Sequence, residues 1–131
     1  FVILHDALSA AEHNDLGVAY EARGETEAAR REYHAALRQD AGLVRARVNL
    51  GNLEGERGQW ERAEACYRRA LKCAPADADA LNNLAVALIH RQLRLDEAVR
   101  SAERAVALGG ERDSIYRATL DEARAAVRRG P

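Results

Sequence analysis

Leu16, Leu50 and Leu84 stand 34 residues apart, and each is followed by a small residue: Gly17, Gly51 and Ala85. The later half of each interval echoes as well. Ala29, Tyr33 and Ala36 return as Ala63, Tyr67 and Ala70, and then, one residue late, as Ala98, Ala102 and Ala105. Self-similarity at this period belongs to stacked supersecondary units, none of which can bury its apolar faces alone. Such a chain has no independent globular core, because each unit supplies a wall for the next.

Composition decides what the unit is made of. Alanine and arginine dominate, Lys72 is the only lysine, methionine is absent and there are two prolines. Residues of this kind with helical periodicity favour helices over sheet. The formal charge is -1 with acids and bases interspersed, which argues against nucleic acid or an anionic membrane surface as the main partner. No apolar run reaches the length of a transmembrane helix. The chain starts at Phe1 and not at methionine, which points to a piece of a longer protein. Cys66 and Cys73 lie on one predicted helix, separated by roughly 10.5 Å of rise. That is too far for a disulfide, so both read as free thiols and fit a reducing compartment such as the cytoplasm.

Punctuation places the helices. Ser9-Ala10-Ala11-Glu12 has the form of a capping box and starts a helix at Ala10 that stops before Gly24. A second helix runs from Thr26 to Gln39. The plan repeats from Val44 to Arg57, with Gly58 as the stop, and from Trp60 to Cys73, ended by Pro75. Asp77 caps a fifth helix over 78–91. The third turn, Gln92 to Leu95, lacks glycine and is one residue longer, and a sixth helix follows from Asp96 to Leu108. A seventh, from Ser114 to Arg129, carries one apolar stripe of Tyr116, Leu120, Ala123 and Val127, as suits the end of an open stack.

The unit resembles the tetratricopeptide repeat (TPR). Leu50-Gly51, Gly58, Ala63, Tyr67, Ala70 and Pro75 carry the fullest version of its pattern. Leu16-Gly17, Tyr20, Gly24, Ala29, Tyr33 and Ala36 match it too, although Ala41 stands where proline is usual, and the third unit is looser. The resemblance implies an all-α helical-hairpin solenoid coiled as a right-handed superhelix, with three repeats at 10–43, 44–77 and 78–112. A capping helix at 113–131 and an apolar N-terminal segment at 1–9 complete the expected organisation.

By the same resemblance the protein is non-enzymatic and binds an extended peptide in a concave groove formed by the first helix of each repeat. The groove would then take Asn14, Asp15 and Val18 from the first repeat. From the second it would take Arg45, Val48, Asn49, Asn52 and Gly55, and from the third Asn82, Asn83, Val86, Ile89 and His90. Asn14, Asn49, Asn52, Asn82 and Asn83 would grip peptide backbone, since an amide both donates and accepts. Val18, Val48, Val86 and Ile89 would meet side chains. Gly55, inside the run Leu53-Glu54-Gly55-Glu56, reads either as a notch for a ligand side chain or as a tolerated substitution on a wet face. Relatives that clamp a C-terminal carboxylate use basic residues where this chain has Asn14, Asp79 and Asn83. With Asp15, Glu21, Glu56 and Asp79 outweighing Arg45, the expected ligand is a neutral or mildly basic peptide with apolar side chains.

No catalytic, metal or cofactor site is expected. The four histidines, His5, His13, His34 and His90, have no metal-ligand spacing on one helix. His13 reads as a packed imidazole, and no phosphate-binding glycine loop occurs. Glu27 with Arg31, Glu64 with Arg68, and Asp96 with Arg100 stand in the favourable acid-first order and read as paired outer faces. An alternative to groove binding is self-assembly or intramolecular docking through the stack ends or through Phe1 to Leu4.

Overall fold

The computed structural model describes residues 6–130, which form seven α-helices: α1 (Ala10–Ala22), α2 (Thr26–Gln39), α3 (Val44–Glu56), α4 (Trp60–Cys73), α5 (Ala78–Arg91), α6 (Leu95–Leu108) and α7 (Asp113–Arg129). Phe1 to Leu4 and His5 lie outside the described residues. Ser9 caps α1 as the capping box requires. Its Oγ accepts from the Glu12 amide at 3.1 Å, while Glu12 accepts from the Ser9 amide at 3.2 Å. Asp77 caps α5 by accepting from the Ala80 amide at 2.9 Å.

The helices pair in sequence as α1/α2, α3/α4 and α5/α6, and α7 packs on α6 and α5. Close approach within a hairpin depends on the small residue after each periodic leucine. A Cβ on Gly17 would lie 2.5 Å from the Tyr33 ring, and one on Gly51 would lie 2.6 Å from the Tyr67 ring. The third hairpin has Ala85 and Ala102 in these roles, and both sit in the main core with Leu84, Leu88, Leu120 and Ala123. On α7, Tyr116, Leu120 and Ala123 are buried as the stripe predicts, but Val127 is exposed.

The lengthened third turn pays a conformational penalty. Gly58 has φ +78°, whereas its counterpart Gln92 has φ +53° and Arg94 has φ +50°. A non-glycine residue in this left-handed region costs about 1–2 kcal/mol. Arg94 in that conformation serves as the N-cap and lets α6 start at Leu95, one residue before the expected Asp96.

The described N-terminal segment is held to the first hairpin. His13 is buried, and its Nδ1 lies 2.6 Å from Glu32 Oε2 while its Nε2 contacts the Asp6 carboxylate. Gln39 Nε2 donates to the Leu8 carbonyl at 2.7 Å. The hydrogen bond to Glu32, and after it the one to Asp6, raise the His13 pKa against the effect of burial. The Asp6 carboxyl is held low by the Leu8 amide and then by His13.

The sign of the pH dependence follows from these directions. His13 contributes stability that is complete below its unfolded pKa and fades as pH rises through the raised folded value. Asp6 contributes above its unfolded pKa and is lost as pH falls through the lowered one. The melting-temperature gap between wild type and His13→Gln should therefore be larger at about pH 6 than at about pH 9. An NMR titration of the His13 ring checks the assignment, because burial and Arg30 push His34 in the opposite direction. A gap that is constant with pH would show that the contacts of His13 with Glu32 and Asp6 do not stabilise the fold.

Candidate functional site

The backbones of the odd-numbered helices come close to one another, α1 with α3, α3 with α5 and α5 with α7, whereas those of the even-numbered helices do not among the described residues. Helices that crowd on one side and splay on the other define an inner edge, and α1, α3 and α5 form it.

Amide side chains join these inner helices. Asn49 Nδ2 on α3 donates to Asn14 Oδ1 on α1 at 3.0 Å. Asn83 Nδ2 on α5 donates to Asn52 Oδ1 on α3 at 2.8 Å, and Asn82 Nδ2 donates to Asn83 Oδ1 at 3.1 Å. Tyrosines reach the same edge from behind. The Tyr67 hydroxyl donates to Asn52 Oδ1 at 2.6 Å, Tyr116 of α7 donates to Asp79 at 2.6 Å, and Tyr33 donates to Glu21. Burial, followed by the bond to Asp79, pushes Tyr116 up to about 12. Burial raises Tyr33 and Tyr67 as well, so all three remain proton donors near neutrality.

Four of the residues expected to face a ligand are placed otherwise. Val48 is only 1% exposed and packs in the main core, so it offers no contact surface. Asn14 and Asn82 are 8% and 4% exposed, too covered to present their amides to a ligand. Gly55 lines a depression on the inner face, but the space over its missing Cβ is not open. The Trp60 ring fills the space, and a Cβ on Gly55 would lie 2.7 Å from it. Trp60 in turn stacks on His90 with ring centroids 3.9 Å apart and planes 5° from parallel. Glycine is needed at position 55 so that the first side chain of α4 can lie across α3.

The remaining expected residues do reach the surface. Asp15, Val18, Arg45 and His90 are exposed, while Asn49, Asn52, Asn83, Val86 and Ile89 are half-buried. Asn52, Glu56, Asn83 and Val86, with the Trp60 and Tyr67 rings, line a depression of about 310 Å³. Trp60 was not legible as part of this surface, since nothing in the spacing joins it to His90. Arg45 is tethered, 3.3 Å from Asp77 and 3.5 Å from Asp79, and Arg112 stands 3.2 Å from Asp79.

The outer faces carry further ion pairs, with partners that local spacing only partly reveals. Glu64 pairs with Arg68 at 2.8 Å as expected, but Glu27 reaches Arg57 at 3.4 Å instead of Arg31. Among the described residues no group of three or more His, Cys, Asp or Glu is arranged to hold a metal ion. Both cysteines are free thiols, and among the described residues no helix is long and apolar enough to cross a membrane.

Comparison with known proteins agrees with this architecture. The family model for the tetratricopeptide repeat matches residues 48–114. The first TPR of Spaghetti (RPAP3), solved bound to the HSP90 peptide SRMEEVD, is similar with a TM-score of 0.84 and 19% identity, over 97% of this chain and 99% of that one. The second TPR domain of human RPAP3, solved in complex with the HSP70 peptide SGPTIEEVD, gives a TM-score of 0.77 and 19% identity, over 88% of this chain and 94% of that one. At such identity the likeness is one of fold. No curated protein matches the chain.

Proposed function

The chain belongs to the tetratricopeptide repeat family, and from that premise we propose that it is a non-catalytic interaction module receiving an extended peptide along the inner face of α1, α3 and α5. On this reading the hairpins at 10–43, 44–77 and 78–112 act as three repeats, and 113–131 closes the stack. The strongest support is the half-exposed amide row of Asn49, Asn52 and Asn83 beside Val86, Ile89 and the open depression at Trp60. Amides on a rigid scaffold suit the alternating donors and acceptors of a peptide backbone. Val18, 47% exposed, and His90 extend the surface toward its two ends.

The ligand's charge follows from the same face. The two structurally similar domains were solved with peptides ending in EEVD. Here Asp15, Glu21, Glu56 and Asp79 face two tethered cations, Arg45 and Arg112. The proposed ligand is therefore neutral or mildly basic, with apolar side chains between its backbone contacts.

Peptides selected on the protein from a random display library should carry no net negative charge. By fluorescence anisotropy they should bind at least about tenfold more tightly than SRMEEVD. An Asn49→Ala/Asn83→Ala variant should lose about tenfold or more of the selected peptide's affinity while its helical signal is kept. Binding indifferent to this variant would reject the inner face, and preference for the acidic peptide would reject the charge assignment.

A further inference from the structure

On the outer side, the splayed even-numbered helices leave furrows floored by the odd-numbered helix between them, and the two furrows differ in charge. Between α4 and α6 lie Glu64, Arg68 and Glu97. Arg68 donates to both oxygens of Glu97 at 2.7 and 2.8 Å and to Glu64 at 2.8 Å, and Arg91 donates to Glu64 at 2.6 Å. Those pairs bridge that furrow and cancel part of its charge, while Lys72 and Arg104, the counterparts of Arg38 and Arg69, also line it. One repeat earlier, allowing for the extra residue of the third turn, the matching positions are Arg30, His34 and Arg62. Acid has become base at two of the three places.

We propose that the furrow between α2 and α4 is a binding site for a phosphomonoester carried on an apolar or aromatic body. It encloses about 420 Å³, with Leu37, Leu50 and Cys66 among its lining side chains. Arg38 on α2 and Arg69 on α4 line it, and neither has an ion-pair partner among the described residues. Arg47 rises from α3 and donates to the Ala41 carbonyl at 2.9 Å.

Glu54 is the single acid in the lining. It is 2% exposed, lies 2.8 Å from Arg30 and 4.0 Å from Arg62, and occupies the position that is Leu88 in the next repeat. One carboxylate against five arginines leaves a positive surplus. That surplus suits phosphate better than a carboxylate, because phosphate carries nearly two charges and has three acceptor oxygens to share among several guanidinium groups. His34 also lines the furrow, and partial desolvation, followed by Arg30, keeps its pKa below the usual value.

Phenyl phosphate is the probe. At low salt it should shift the backbone amide NMR signals of α2 and α4 saturably, bind more tightly than inorganic phosphate, and have no counterpart with phenol. An Arg38→Glu/Arg69→Glu variant alters two exposed side chains and should weaken binding by about tenfold or more with melting unchanged. Cys66 gives a second readout that needs no arginine variant. In Cys73→Ser protein, phenyl phosphate should slow alkylation of Cys66 by N-ethylmaleimide, and phenol should not. Free O-phosphotyrosine and a peptide containing it separate the sources: equal affinities assign a small molecule, and tighter peptide binding assigns a modified protein. Unsaturable shifts spread equally over the arginines of α7, or binding undiminished in the double variant, overturn the site.

Discussion

Replacing Gly51 with alanine is expected to destabilise the stack by about 1–3 kcal/mol, even though alanine favours the helix by about 1 kcal/mol. The added Cβ would sit 2.6 Å from Tyr67 Cε1 and 3.1 Å from Cys66 Cβ. The ring has little room to yield, because it is buried and its hydroxyl is bonded to Asn52. Displacing it would also loosen the hydrogen bond that Asn83 donates to Asn52. The third hairpin is a natural control, since Ala85 is tolerated where Ala102 replaces the tyrosine. Urea unfolding in wild-type and Tyr67→Ala backgrounds measures the coupling. The alanine should be costly in the first and neutral or stabilising in the second, and an equal penalty in both would remove close approach as the cause.

Ending the chain at Gly110, which deletes α7, should have the largest effect. Tyr116 completes a cluster with Leu81 and Ala105, and Leu120 and Ala123 belong to the main core. Burial of one large apolar side chain is worth about 1.5–3 kcal/mol, so the loss is on the order of 5 kcal/mol. That is comparable to the whole stability of many domains. Because α7 touches only α5 and α6, hydrogen exchange should accelerate most in those helices and least in α1 and α2. Unchanged melting of the truncated chain would show that the third hairpin stands without its cap.

The helices were legible because their ends carry local chemistry: Ser9 with Glu12, the Gly58 stop, and Asp77 before α5. The face of each inner helix was legible as periodicity. What lay across from each side chain was not. Asn14 and Asn49 repeat on one face, but their period does not say that the amides bond to each other. Val48, next to Asn49, is turned about 100° around the helix and falls into the core. The anomaly at Glu54-Gly55 was visible as a break in pattern, but its meaning depends on partners from other helices. Trp60 covers the glycine, and Arg30, from the preceding hairpin, meets the carboxylate.

The Arg68–Glu97 pair also has a mechanical consequence. It fastens α4 to α6 across the outer side, where the helix backbones do not come close, while α2 and α4 have no equivalent bond among the described residues. In elastic terms the stack is two springs in series with unequal stiffness. A pull on the chain ends, or a ligand that flattens the curve, should extend the junction between the first two hairpins before the one that follows.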